Sequence, residues 1–418
     1  MPKNAKILLA ASRSRLSTPS FDFPVKYYQF LQYLLKFLIY ICRMKVVSEI
    51  SPDSELHLKL NVIFGPEIWA LQNQGGISRY FCELIKKCVY LNQSTYALIP
   101  EAGNRYISEI PSISQIKYKS GSDDIANLVS ERFLNSSLSS IYHASYYSKL
   151  NYNKLLGRNF RTVITVHDLI SEKFESTRYI RKPRINIRKR SIESADHIIC
   201  VSNNTKNDLI EHYSVDESKI SVIYLGSNFI SSETIRDKTF TKIPYLLFVG
   251  KRSGYKNFYM LIQAFANSKF LRENFRIVAV GGGMFDSNEI SLLRNFNLEN
   301  HVNQVDAGDE KLANYYSNAE ALIYPSLYEG FGLPPIEAMA LGCPVFASNA
   351  GSIPEVCGDA AIYFDPRNAE HLTHIIESSL SDSKLLKEIT ALGILKSQNF
   401  TWERTARETM MVYLDVAK

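Results

Sequence analysis

The 418-residue chain holds no run of about 18 consecutive apolar residues, the length that a membrane-crossing helix needs. Cysteine is scarce. The six cysteines, at 42, 82, 88, 200, 343 and 357, form no C-x-x-C pair and have no histidine at zinc-ligand spacing, which argues against a disulfide framework or a zinc module. Buried, reduced thiols in a cytosolic protein are expected instead. Solenoid-period repeats and low-complexity tracts are lacking too. Neither the dinucleotide fingerprint G-x-G-x-x-G nor a P-loop occurs, which removes support for hydride transfer and nucleoside triphosphate hydrolysis. No D-x-D pattern stands out, since Asp123–Asp124 and Asp306/Asp309 belong to separate loops, so neither a metal nor a cofactor is expected.

Acidic residues are nearly missing from one region. Residues 1–43 carry seven Lys and Arg against Asp22 alone, so the whole net charge of +6 resides there and the remainder is balanced. That distribution describes a basic appendage on a neutral body and argues against a nucleic-acid partner. Within the appendage, YYQFLQYLLKFLIYICR (27–43) places Gln29, Gln32, Lys36 and Arg43 on one narrow helical stripe. Three readings stay open: an aromatic-rich helix lying on an anionic cytoplasmic membrane surface, a helix packed on the protein, or a chain whose true start is Met44.

The body is of soluble composition, 45% hydrophobic and 22% charged, and long enough for two cores. Short β-rich runs alternate with helical periods. Strands are predicted at 58–64, 95–100, 140–144, 162–166, 197–201 and 220–225, then at 245–249, 275–280, 321–325, 344–348 and 361–364. Helices are predicted around 77–89, 258–268 and 334–341. Two such series predict an α/β protein with two doubly wound, Rossmann-like domains. The division expected is an extension at 1–57, a first domain at 58–235, a second at 236–395 and a closing helix at 396–418. The polar segment 227–242 reads as the interdomain linker.

In doubly wound domains ligands meet the carboxyl ends of the strands, so residues there carry the chemistry. Gly75 and Gly76 in QGGISRYFCEL either admit a ligand close to the backbone or make a plain turn. VHDLI ends a strand with His167 and Asp168, a pair suited to hydroxyl contacts or proton handling, or else a capped loop start. His143, ahead of Tyr146 and Tyr147, suits sugar binding and core packing equally. VGKRSGYKNF supplies Lys251, Arg252 and Lys256 with no acid among them, where a diphosphate would sit. The run RYIRKPRINIRKR (178–190) is either a membrane- or pyrophosphate-binding stretch or a solvated helix face. YEGFGLPPIEAMA sets Glu329 and Glu337 on either side of a Gly-rich turn. Pro334 and Pro335 suit a first helical turn, so the amides before them form an anion site.

EGFGLPPIEAMALGCPV resembles the E-x7-E signature of the retaining glycosyltransferases of family 4. GSIPEVCGDAAIYFDP, FTWERTARETMMVYL, QGGISRYFCEL, VHDLI, ICVSNNTKNDL and VGKRSGYKNF resemble that family's segments in the expected order, over about residues 58–418. The resemblance implies the GT-B fold: two Rossmann-like domains facing across a cleft, the first for the acceptor and the second for a nucleotide sugar, with the last helix crossing back. It implies Glu329 at the donor sugar, Glu337 at the ribose and His167 at the reaction centre. It implies amides near Phe331, Gly332 and Leu333, with Arg252 and Lys256, on the diphosphate, and Gly75 and Gly76 approaching the phosphates. One departure is visible: many members have Arg directly after the strand-end glycine, where this chain has Lys251 and then Arg252, leaving open which reaches the phosphate.

The function expected from this resemblance is a retaining, metal-independent hexosyltransferase of surface polysaccharide or lipopolysaccharide synthesis. Its donor would be a nucleotide sugar, with GDP-mannose favoured by likeness to mannosyltransferase-type members. Its acceptor would be a glycan or lipid-linked glycan, and it would act peripherally on the inner membrane face. A sugar-nucleotide epimerase and a silent membrane-attached scaffold are the alternatives; intact Glu329, Glu337, Arg252 and Lys256 oppose the scaffold.

Overall fold

The computed structural model describes residues 60–92, 94–100, 104–118, 129, 132–133, 136–148, 160–174, 178–229 and 243–418. The chain divides into two units, Met1–His57 and Leu58–Lys418. Everything described belongs to the second; segment 27–43, Cys42, linker residues 230–242 and the boundary expected at 235 lie outside the described residues.

Among the described residues there are two fully parallel sheets. The first comprises β1 (Leu60–Phe64), β2 (Thr95–Pro100), β3 (Gln115–Tyr118), β4 (Ser139–Ala144), β5 (Phe160–Val166), β6 (His197–Cys200) and β7 (Ile220–Val222), in the order 3-2-1-4-5-6-7. The second comprises β8 (Tyr245–Val249), β9 (Arg276–Val280), β10 (Val302–Val305), β11 (Ala321–Tyr324), β12 (Val345–Ser348) and β13 (Ile362–Phe364), in the order 10-9-8-11-12-13. Each order reverses once, beside β1 and beside β8, and the crevice at such a switch point is where doubly wound folds bind ligands. β1 and β8 are buried along their whole length, which is why β8 reads as an unbroken apolar run and β1 as one interrupted only by Asn61.

Two strands were not anticipated, QIKY (β3) and VNQV (β10). Both are sheet edges, with one neighbour each, and half of each strand is polar. The predicted strand 220–225 ends at Val222.

The helices framing the cleft are α1 (Gly76–Leu91), α2 (Arg178–Ser194), α3 (Asn203–Tyr213), α4 (Phe258–Asn267), α5 (Asp309–Asn318), α6 (Leu333–Ala340) and α7 (Trp402–Val416). The five described cysteines, 82, 88, 200, 343 and 357, are free and buried. No described helix is long and apolar enough to cross a membrane. Arg188, in the basic run, is a buried structural group: its guanidinium donates to Glu172 at 2.5 Å and to the Asp168 carbonyl at 3.0 Å, and stacks on Tyr147. Arg188 therefore belongs neither to a membrane- or pyrophosphate-binding stretch nor to a solvated helix face, and the reading of the run is corrected at that residue.

The last helix is tied into the first sheet. His143, fully buried, bonds through Nδ1 to the Tyr413 hydroxyl of α7 and through Nε2 to Thr165 Oγ1 at 2.8 Å. Core packing is thus its role, not sugar contact. Ser227 N donates to Phe400 O at 2.9 Å where the chain passes between domains, and a Cβ on Gly226 would lie 2.4 Å from Trp402 N. Trp402 Nε1 donates to Asn228 Oδ1 beside them.

Burial lowers the His143 pKa to about 3, whereas an unfolded histidine titrates near 6.5. The unfolded state therefore takes up the proton first, and stability present above pH 6.5 is lost as pH falls toward 3. Lowering pH from 7 to 5 should cost about 2 kcal/mol through this residue alone, and His143→Gln should flatten the dependence of the urea midpoint on pH over that range. Tyr413→Phe, which leaves Nδ1 buried without its partner, should destabilise by about 1–3 kcal/mol in the same measurement.

Candidate active site

The turn after β11 is the centre of the cleft. Glu329 is 7% exposed, and its Oε1 accepts from Lys256 Nζ at 2.8 Å. Lys256 ends a short 3₁₀ turn, Gly254–Lys256, that leads from β8 into α4. Its ammonium also faces the Tyr324 hydroxyl at 3.3 Å and lies over the rings of Tyr255 and Tyr324, each at 5.4 Å. Asn257, in a left-handed conformation, locks this loop by donating to Pro325 O and Pro366 O at 3.0 and 2.8 Å. Burial and the neighbouring Glu329 hold the Tyr324 hydroxyl well above the ordinary tyrosine range, so it stays protonated.

Three successive carbonyls of the turn are occupied. Glu329 O accepts from Ser352 N and Oγ at 3.4 and 3.0 Å, Gly330 O from Ser202 Oγ and Thr205 Oγ1 at 2.6 and 3.1 Å, and Phe331 O from Ser352 Oγ at 2.9 Å. In a trans peptide the N–H points opposite the preceding carbonyl. The amides of Gly330, Phe331 and Gly332 are thus turned away from these hydroxyls, and they have no acceptor within the described protein although all three residues are buried. Gly332, at φ 103°, then starts α6, whose first turn holds Pro334 and Pro335. A row of unpaired donors at a helix start is an anion site. Gly330 has no room for a side chain, because a Cβ there would lie 1.7 Å from His167 O of the first domain.

Glu337 is 6% exposed on α6. Its Oε2 accepts from the Tyr316 hydroxyl at 3.0 Å, and its Oε1 faces Arg79 of α1 at 3.8 Å. Arg79 also pairs with Asp309 at 3.0 Å. Burial raises the Glu337 pKa and Arg79 pulls it back. The first turn of α1 therefore reaches across the cleft to the carboxylate expected at the ribose. Gly75 is extended, at φ 175°, and nothing lies within 4 Å of a Cβ built on Gly76, so the chain's own packing does not demand glycine there.

His167 sits edge-on to Tyr80, with ring centroids 4.8 Å apart, and near Phe81. Burial lowers its pKa to about 3, so the ring is neutral at physiological pH, and its Nε2 is buried without a partner. Asp168 does not hold the imidazole; its Oδ1 accepts from Ile170 N at 3.1 Å, and the aromatic rings of α1 set the ring's position.

Arg252 takes a different place from the one expected. Its guanidinium is buried, donating to Glu289 at 2.8 and 3.1 Å and to the carbonyls of Gly281, Gly283 and Met284, with Phe285 against its face. The Gly281–Gly283 run wraps this group: all three glycines have φ between 73° and 89°, and a Cβ on Gly282 would approach Nη1 to 2.8 Å. Arg252 thus braces a loop, while Lys251 is exposed and Lys256 stands beside Glu329. Arg79, Tyr80, Ser202, Thr205, Tyr324 and Ser352 were missed by sequence reasoning. Ser202, two residues past β6, lies where the strand-end rule points.

Residues 74–228 match the model described as Glycosyltransferase Family 4, and residues 231–395 match Glycosyl transferases group 1. The chain is similar to an O-antigen chain mannosyltransferase B of Escherichia coli, 29% identical over 60% of this chain and 70% of the relative. It is also similar to an O-antigen chain mannosyltransferase RfbU of Salmonella typhimurium, 33% identical over 49% of this chain and 56% of that protein. Its fold matches the structure of Anabaena Alr3699/HepE in complex with UDP, with a TM-score of 0.67 and 18% identity over 85% of this chain and 100% of that one. Both halves of the body carry matching models and the sheets have the two-domain arrangement, so the chain belongs to glycosyltransferase family 4 and has the GT-B fold.

Proposed function

We propose that this glycosyltransferase moves a hexosyl group, mannosyl from GDP-mannose, with retention, onto a glycan or lipid-linked glycan acceptor of surface polysaccharide, without a divalent ion. The observation that carries this reading is the turn 329–333: unpaired amides at a helix start, flanked by the Glu329–Lys256 pair and by Glu337. Similarity to proteins named O-antigen mannosyltransferases supports the choice of sugar.

Breaking a bond to a nucleoside diphosphate builds charge on the leaving phosphate, and each preorganised donor facing that charge is worth about 3 kcal/mol. The amides of Gly330, Phe331, Gly332 and Leu333 are such donors, and Lys256 adds positive charge. Exposed Lys251 joins them in this reading, with Arg252 holding the neighbouring loop. The neutral His167 Nε2 would accept from or donate to a sugar hydroxyl. Glu329 would face the sugar and Glu337 the ribose hydroxyls, with Gly76 leaving room for the phosphates. The basic segment 1–43 would hold the enzyme on the anionic inner face of the membrane.

The test is release of nucleoside diphosphate from a panel of nucleotide sugars, with membrane extract as acceptor source. Release from GDP-mannose, undiminished by EDTA, is expected; no release with any donor would remove the transferase reading. Glu329→Gln should lower kcat at least tenfold with little change in KM, and Glu337→Ala should mainly raise the donor KM. Equal effects on KM alone would show the division of roles to be wrong. Deletion of 1–43 should abolish co-sedimentation with anionic liposomes, and unchanged sedimentation would dismiss that segment as the anchor.

A further inference from the structure

The amides proposed to receive the diphosphate are not oriented by their own domain alone. Gly330 O, the carbonyl in the middle of the three, is held by Ser202 and Thr205, which belong to the first domain. Ser202 is the N-cap of α3, its Oγ accepting from Thr205 N at 3.0 Å while donating to Gly330 O. Those donors are fixed by a second contact on the same turn of helix. The Glu355 carboxylate of the second domain accepts from Asn203 N at 2.7 Å, Asn204 N at 3.0 Å and the Tyr224 hydroxyl at 2.9 Å. Glu355 lies one turn beyond Ser352, which holds Glu329 O and Phe331 O. The circuit is closed: turn 329–331 to Ser352 and Glu355, from there to the first turn of α3, and back to Gly330.

We infer that Ser202 and Thr205 are positioning residues of the donor's diphosphate site, acting across the domain boundary by fixing the Gly330–Phe331 peptide so that its N–H faces the phosphate. Because the peptide is planar, releasing the carbonyl releases the amide. The two hydroxyls need not touch the ligand. Their packing leaves no slack, since Gly330 rests against His167 O and Tyr328 donates to Asp208 of α3 at 2.7 Å. Diphosphate affinity thereby depends on the hydroxyls at the start of α3, which hold Gly330 O and have no contact with Glu337, the carboxylate placed at the ribose, which faces Arg79 of α1 instead. The inference rests on the donor-site reading above.

The experiment compares, by titration calorimetry on the full chain, GDP with guanosine and UDP with uridine, for wild type and for Ser202→Ala/Thr205→Val. The readout is the ratio of nucleoside Kd to nucleoside diphosphate Kd. In wild type the diphosphate should bind more tightly for at least one pair. In the double variant that ratio should fall about tenfold, with the nucleoside Kd unchanged. Thr205→Ser, which keeps a hydroxyl, should retain the wild-type ratio, and Thr205→Val alone should lower it, which keeps the test usable if the double variant does not fold. An unchanged ratio in Thr205→Val and in the folded double variant overturns the inference while leaving the donor site standing. No preference for either diphosphate in wild type overturns the donor-site reading, and the inference falls with it.

Discussion

Three consecutive peptide carbonyls, those of Glu329, Gly330 and Phe331, set what the cleft can do. Each is spent on a hydroxyl or amide behind the turn, so the opposite edges of the same peptide planes present N–H groups. A buried amide without an acceptor costs about 1–3 kcal/mol, and a turn with several would relax if its carbonyl side were free. It is not free. Pro334 and Pro335 contribute no N–H, which confines the orphan donors of this helix start to Leu333 and the loop before it.

Positive charge around the turn is divided between two side chains with different work. Lys256, beside Glu329 and against two tyrosine rings, places its ammonium at the cleft. Arg252, four residues earlier, uses its fork of donors to gather three carbonyls and a carboxylate, a task a single ammonium would not perform. The glycine run after β9 exists to let that backbone curl around the guanidinium, which accounts for a motif that matches no nucleotide-binding fingerprint.

The architecture was legible because parallel strands covered on both faces leave mainly apolar runs, which β8 shows without a break and β1 with only Asn61 inside it. β3 and β10 were hidden because edge strands carry polar residues such as Asn303 and Gln304. The E-x7-E turn was readable from its glycines, prolines and two acids, all local in sequence. What supports it was not. Ser202 and Thr205 lie more than a hundred residues from Gly330, and a hydroxyl at a helix start looks the same whether it caps its own helix or also holds another domain's carbonyl. Arg252 misled for a related reason: strand-end position is visible in sequence, whereas the direction a long side chain takes is set by partners such as Glu289. His143 shows the same limit, its environment being completed by Tyr413 from the far end of the chain.

The body crosses between its domains twice, once after β7 and once before α7, and the two crossings touch: Ser227 bonds Phe400, and Gly226 has no space for a side chain against Trp402. A single tether would let one domain swing and twist in any direction. Two tethers joined at one spot behave as the pin of a hinge, about which the cleft can open while translation is forbidden. Arg79 and the turn at Phe331 lie close to that pin, the Arg79 guanidinium 6.0 Å from the Phe229 ring and the Phe331 ring 5.7 Å from that of Phe400, so a given rotation displaces them little.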